Sequence, residues 1–225
     1  MKSVTAVIAA GGKGTRMGAG FNKVFMELAG EPVILHTMRA FEQNAKIAEI
    51  VAVTGAQDIA KLRDIAEKGG ITKLKAVVEG GATRRESVYN GIKASSGEII
   101  AIHDGARALI GQREIDAVIE DAVNYGAAAV GVSCKDTLKS ADEDGFIAGT
   151  VDRSVTYQIQ TPQVFKREII VKAHERAVED GFEPTDDCAL IERYGGKIKV
   201  TEGSYDNIKL TTPIDMLIGE QILKG

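Results

Sequence analysis

Cysteine occurs only twice, at Cys134 and Cys188, far apart in the chain, without metal-ligand spacing and with no secretory leader ahead of them. A disulfide framework and a thiolate metal centre are therefore excluded, and the thiols of a cytoplasmic protein are expected. No apolar run approaches the roughly 20 residues that a membrane span needs, so no membrane association is expected. An excess of positive charge is also missing. The net charge is −4 with both signs interspersed, which excludes a nucleic-acid binder with a dominant basic surface and confines any anion site to a local pocket. There is no linker, internal repeat or low-complexity stretch, and 225 residues suffice for one α/β domain spanning 1–225. Two familiar phosphate loops are lacking as well: Gly12-x-Gly14-x-x-x-Gly18 fits neither the Walker A spacing nor G-x-G-x-x-G.

What the chain does have is a rhythm. Strand-like runs at 4–9, 47–53, 74–78, 99–103 and 127–132 alternate with amphipathic stretches at 32–44, 57–68, 84–94 and 112–125. This alternation predicts an α/β fold with a doubly wound, mostly parallel sheet. Pro32 suits a first helical position and Thr83 an N-cap. Past Ser133 the rhythm breaks: 134–141 and 146–155 flank Asp142-Glu143-Asp144-Gly145, and Asp-Gly supplies the positive φ of a tight hairpin. A β-arm over 134–156 is therefore expected, with edges that favour pairing with a second subunit. The helical pattern resumes at 166–180 and 186–194, followed by a strand at 197–202 and a helix at 213–224.

The first strand runs straight into Gly11-Gly12-Lys13-Gly14-Thr15-Arg16-Met17-Gly18, with Lys23 beyond. Glycines let backbone N–H groups approach a polyanion, and Arg16 and Lys23 add the charge that amides lack. Glu79-Gly80-Gly81-Ala82-Thr83-Arg84-Arg85-Glu86-Ser87 repeats that strategy and could offer amides and Ser87 to a base or ribose. Asp104-Gly105-Ala106-Arg107 follows the strand at 99–103, at the carboxyl end where parallel sheets present ligand-binding residues. Asp104 is the first candidate for a divalent metal, since Mg²⁺ takes one or two carboxylates plus phosphate oxygens. His103 reads as a buried strand-end residue without a catalytic role.

These segments occur in order with His103-Asp104-x-Ala106-Arg107, Asp136-Thr137, Thr150-Val151-Asp152-Arg153, Thr161-Pro162-Gln163 and Asp206-Asn207-Ile208-Lys209. Together they closely resemble the 2-C-methyl-D-erythritol 4-phosphate cytidylyltransferase family of the sugar-nucleotidyltransferase-like superfamily, over nearly the whole chain. The resemblance implies transfer of CMP from CTP to methylerythritol phosphate with release of pyrophosphate, by a homodimer that exchanges its β-arm. It assigns Arg16 and Lys23 to the α-phosphate and the leaving pyrophosphate, and Arg153 and Lys209 to the acceptor phosphate. Ala10, Gly11, Gly12, Gly14, Gly80, Ser87 and Asp104 fall on the nucleotide, Arg107, Thr137 and Thr161 on the acceptor. Asp104 falls beside Mg²⁺, with Asp206 as a second candidate.

The chain departs from the family pattern at three places. Asn22 stands where proline commonly precedes the catalytic lysine, which predicts a more mobile Lys23. Ala82 replaces a frequent aspartate, which shifts recognition of cytosine toward the backbone, and Ala108 replaces a proline after Arg107. A ribitol 5-phosphate cytidylyltransferase shares the glycine loop and the spacing from Arg153 to Gln163, and a non-catalytic nucleotide-binding protein is the alternative of another class.

Overall fold

The computed structural model describes residues 2–12 and 22–224. Its centre is a seven-stranded sheet in which β1 (Val4–Ala9), β4 (Ile47–Thr54), β5 (Leu74–Glu79), β6 (Ile99–Asp104), β7 (Ala127–Ser133), β10 (Tyr157–Lys166) and β11 (Lys199–Glu202) lie in the order β11-β7-β10-β6-β1-β4-β5. Every pairing is parallel except those of β10, which runs antiparallel to both β6 and β7. Two short pairs stand outside this sheet: β2 (Glu27–Leu28) with β3 (Glu31–Pro32), and β8 (Lys139–Ala141) with β9 (Ile147–Thr150).

Helices cover both faces because the strands are apolar on both. α1 (Val33–Glu42), α2 (Ile59–Lys68) and α4 (Gln112–Tyr125) pack Ile34, Met38, Phe41, Leu62, Ile115 and Val118 against Ala6, Ile8 and Ala101. α3 (Arg84–Ala94), α5 (Arg167–Glu179) and α6 (Asp187–Arg193) pack Val88, Ile92, Ile170 and Leu190 against Val7, Val53 and Ile102. Phe41 and Phe165 are fully buried on opposite faces, and truncating either to alanine removes about 3–5 kcal/mol. α7 (Pro213–Lys224) closes over a small cluster of Leu28, Val33, Ala108 and Leu210.

The doubly wound, mostly parallel expectation is met, and four local differences have physical causes. β10 was not foreseen, because it contains Pro162 and the polar run Gln158, Gln160, Thr161, Gln163. The second helical stretch begins as a 3₁₀ turn, Ala56–Asp58, before α2. Pro32 flanks α1 rather than opening it, with an extended ψ of 137°. Asp206–Lys209, whose sequence pattern is strand-like, forms a loop instead, held by Asn207 N–H donating to the Ser204 carbonyl at 3.2 Å and Leu210 N–H to that of Ala106 at 2.8 Å.

The Asp-Gly turn forms as expected: Gly145 has φ +86° and its N–H donates to the Asp142 carbonyl at 3.1 Å. The strands it joins are shorter than the flanking runs. At the root of the arm, Cys134 N–H donates to the Thr156 carbonyl at 3.3 Å.

Candidate active site

The strands β1, β4, β5 and β6 end along one rim of the sheet, and the candidate residues gather on it. Past β1, buried Ala10 is fixed by its N–H to the Val53 carbonyl at 2.7 Å, and its own carbonyl accepts from Thr54 Oγ1 at 3.2 Å and from Asn22 Nδ2. Gly11 and Gly12 follow, exposed. Gly14 and Arg16 lie outside the described residues. Lys23 opens a 3₁₀ turn, Lys23–Phe25, that Asn22 caps through Oδ1, which accepts from Val24 N–H at 3.4 Å. Asn22 is buried and also reaches Asp58 Oδ2 at 3.3 Å. Against the expected loosening of Lys23, an asparagine here ties the chain to Ala10 and to the 3₁₀ turn before α2, contacts that proline has no donor to make.

The second glycine turn is built around its own side chains. Ser87 Oγ accepts from Gly81 N–H at 3.0 Å and donates to the Thr83 carbonyl at 2.8 Å, while Glu86 accepts from Ala82 N–H at 2.7 Å. Thr83 caps α3 by accepting from Glu86 N–H at 3.2 Å, as its sequence position suggested. Gly80 donates to the Thr54 carbonyl at 2.9 Å, and a Cβ there would lie 2.7 Å from Ser87 Oγ. Ser87 thus shapes the turn, and the amides at 81 and 82 are already paired.

Asp104 ends β6 and is the focus of charge. Lys209 Nζ lies 2.6 Å from its Oδ2, Arg84 Nη2 3.8 Å from its Oδ1 and Arg107 Nε 4.0 Å from its Oδ2. Burial works to raise the Asp104 pKa, but the charges of Lys209, Arg84 and Arg107 outweigh it and hold the carboxylate below its ordinary range. Arg84 belongs to this cluster although sequence reasoning gave it no site role. Burial opposes its charge, but Asp187 at 2.7 Å and Asp104 raise its pKa. Arg107 Nε is buried and has no hydrogen-bond partner among the described residues, an orphan donor beside the site.

A relay of hydrogen bonds sets this geometry. Asp104 N–H donates to Thr161 Oγ1 at 3.0 Å, and Thr161 lies 3.0 Å from His103 Nδ1, whose Nε2 lies 3.1 Å from the Arg107 carbonyl. Since a carbonyl can only accept, Nε2 carries the proton and Nδ1 accepts from the threonine. Burial lowers the His103 pKa to about 4, so the ring is neutral, and it serves as a brace. Asn207, fully buried, donates to Gln160 Oε1 and to the Thr161 carbonyl, both at 3.0 Å, and its own carbonyl accepts from Arg107 Nη1 at 2.7 Å. Those contacts dock the loop that carries Lys209.

The remaining candidates stay apart. Arg153 is exposed at the arm's root, donating to the Lys135 carbonyl at 3.3 Å, and Thr137 and Asp206 are exposed. Among the described residues, none of the three pairs with the Asp104 cluster. No group of three or more His, Cys, Asp or Glu that could hold a metal occurs among the described residues. Asp104 is already paired with Lys209 and flanked by Arg84 and Arg107, so this lining does not form a protein cage for a cation, and a Mg²⁺ here would take most of its ligands from phosphate oxygens and water.

The family model described as IspD, 2-C-methyl-D-erythritol 4-phosphate cytidylyltransferase, matches residues 4–225. The 2-C-methyl-D-erythritol 4-phosphate cytidylyltransferase of Caldanaerobacter subterraneus subsp. tengcongensis is 48% identical over 225 residues, 99% of each chain. The protein of the same name from Clostridium novyi is 43% identical over 227 residues, covering 100% of this chain and 98% of its own. The crystal structure of 4-diphosphocytidyl-2C-methyl-D-erythritol synthase from Anaerococcus prevotii superposes with a TM-score of 0.88 at 30% identity, covering 100% of this chain and 99% of the other.

Proposed function

This chain belongs to the 2-C-methyl-D-erythritol 4-phosphate cytidylyltransferase family, and from that premise we propose how its residues divide the reaction. It is a nucleotidyltransferase that joins CMP from CTP to 2-C-methyl-D-erythritol 4-phosphate, giving 4-diphosphocytidyl-2-C-methyl-D-erythritol and pyrophosphate in isoprenoid precursor synthesis. The reading of its site rests on one observation: three cations converge on a single strand-end carboxylate, with the orphan Nε of Arg107 among them.

Such a cluster suits a reaction between two anions. Repulsion between the attacking oxygen and the α-phosphate amounts to about 4 kcal/mol per charge pair at about 4 Å and an effective dielectric of about 20. Arg16 and Lys23 cancel the charge that develops on the α-phosphate and the leaving pyrophosphate, and Arg107, Arg153 and Lys209 hold the acceptor phosphate in line. Thr137 and Thr161 flank the acceptor. No general base is needed, because the attacking phosphate is already ionised, so the transfer is direct. The turns at Ala10–Gly12 and Gly80–Ser87 receive ribose and cytosine. When bound, Mg²⁺ supplies charge neutralisation at the phosphates. Asp104 and, from the 204–210 loop, Asp206 are the carboxylates that would stand beside it, with phosphate oxygens and water supplying most of its ligands.

The arm over 134–156 carries Phe146, Ile147 and Val155, exposed by 72%, 69% and 74%. Apolar side chains on a two-stranded excursion call for a partner, and a second copy of this chain supplies one, bringing Arg153 and Thr137 to a shared site. No helix among the described residues is long and apolar enough to cross a membrane.

Steady-state pyrophosphate release tests the division of roles. Lys23→Ala should lower kcat with little change in acceptor KM, and Arg153→Ala should chiefly raise acceptor KM. The reverse pattern exchanges their roles, and trapping of a nucleotidylated enzyme from CTP alone overturns direct transfer. With D-ribitol 5-phosphate in place of methylerythritol phosphate, no release is expected.

A further inference from the structure

Thr83-Arg84-Arg85-Glu86 has the order of a capping box, in which the acidic side chain turns back to the N–H of the capping residue itself. One half of the box forms, with Thr83 Oγ1 accepting from Glu86 N–H at 3.2 Å. The other half does not. Glu86 Oε2 passes over Thr83 and accepts from Ala82 N–H at 2.7 Å, one residue further out, which lays the side chain against the glycine turn. Gly81 makes the room: a Cβ there would stand 2.3 Å from Glu86 Cβ and 2.7 Å from Oε2.

The backbone donors of this turn are all bonded within the protein. Gly80 N–H goes to the Thr54 carbonyl, Gly81 N–H to Ser87 Oγ and Ala82 N–H to Glu86. Glu86 Oε1, in contrast, accepts no hydrogen bond among the described residues. Arg85 Nη2 stands 3.9 Å from it, beyond bonding range, and Arg85 is bonded through Nε to Glu183 at 3.1 Å. With its side chain 43% exposed, Glu86 thus brings one uncommitted carboxylate oxygen to the turn.

A carboxylate can only accept. Cytosine carries an amino group at C4 and uracil a carbonyl oxygen, so an acceptor at that edge bonds the first base and repels the second. We infer that Glu86 is a specificity-determining residue: its Oε1 accepts from the 4-amino group of cytosine, while Oε2, tied to Ala82 N–H, fixes the carboxylate on the turn. This inference rests on the placing of cytosine at the Gly80–Ser87 turn. It accounts for a choice of base at a turn where residue 82 is an alanine and the backbone donors are already bonded.

The test compares kcat/KM for CTP and UTP in the full-length enzyme, from pyrophosphate release with saturating methylerythritol phosphate and Mg²⁺. The wild type should prefer CTP, and equal use of both nucleotides overturns the inference. Glu86→Gln keeps an oxygen for Ala82 N–H and puts an amide NH₂ where Oε1 stands. Its kcat/KM should fall with CTP and rise with UTP, cutting the preference by about tenfold or more. A merely structural role lowers both values by one factor, so a preference within about twofold of the wild type overturns the inference. Should Glu86→Gln not fold, Glu86→Ala puts a strong helix former in its place and should lose preference through CTP alone; an unchanged preference overturns the inference equally. The amide resonances of Gly81 and Ala82 in the wild type, followed as CTP is added, distinguish the underlying placement. If they do not move, the base lies elsewhere and the inference falls with that placement; if they move while the preference holds in the variants, the inference alone fails.

Discussion

Lys209 Nζ sits 2.6 Å from Asp104 Oδ2, so a loop near the end of the chain supplies the closest counter-charge to a carboxylate at the end of β6. Lys209 is nonetheless partly exposed, with 40% of its side chain accessible, and can turn toward an acceptor phosphate. Lys209→Met should raise acceptor KM by about 10- to 100-fold, the loss expected for one charge-assisted hydrogen bond, with a smaller change in kcat. Initial rates at varied methylerythritol phosphate check this.

Asn22 makes contacts that proline has no donor to make. Asn22→Ala removes the cap on Val24 and the ties to Ala10 and Asp58, and should destabilise the fold by about 1–2 kcal/mol. Because Lys23 follows directly, kcat should fall as well. Urea unfolding and pyrophosphate release on the same preparation give both values.

Acid should weaken the fold through its buried histidines. Burial lowers His103 and His174 from 6.5 to about 4. Between those values the unfolded chain binds protons that the folded one refuses, so stability is intact above about pH 6.5 and falls as pH drops toward 4. The loss is on the order of 3 kcal/mol for each ring. His174 stacks on Tyr89 at 5.0 Å, with neither ring nitrogen bonded among the described residues. His174→Phe should remove about half of the slope of urea midpoint against pH over that window.

The arm's apolar tip should govern assembly without governing the fold. Phe146→Asp with Ile147→Asp should shift the sedimentation coefficient from dimer to monomer at micromolar protein and leave the far-UV spectrum unchanged. Activity should fall with the dimer fraction, and full activity in the monomer would remove the shared-site proposal.

How far the sequence was legible follows from how local each feature is. Gln112–Tyr125 and Pro213–Lys224 match their sequence readings end to end, since apolar periodicity and flanking turns are local signals. β10 was hidden because its buried residues include Gln160, Thr161 and Gln163, whose burial is paid for by partners distant in the chain. Arg84 shows the same limit: it reads as a helix-start cation and becomes a site residue only once α6 brings Asp187 beside it. The strand-end position of Asp104 was legible, but its trio of cations was not.

The antiparallel β10 joins β6 to β7, and its insertion has a consequence for how the molecule is made. As the chain emerges during synthesis, β1, β4, β5 and β6 can pair first, leaving β6 as an open edge until residue 166 has appeared. Asp104 waits at that edge for Thr161, and then for a loop whose contact with Arg107 spans 100 residues. Long-range closure of this kind is slow and exposes strand edges meanwhile. A chain halted before residue 204 therefore lacks both Lys209 and the Asn207 contacts to Arg107 and Thr161 that dock its loop.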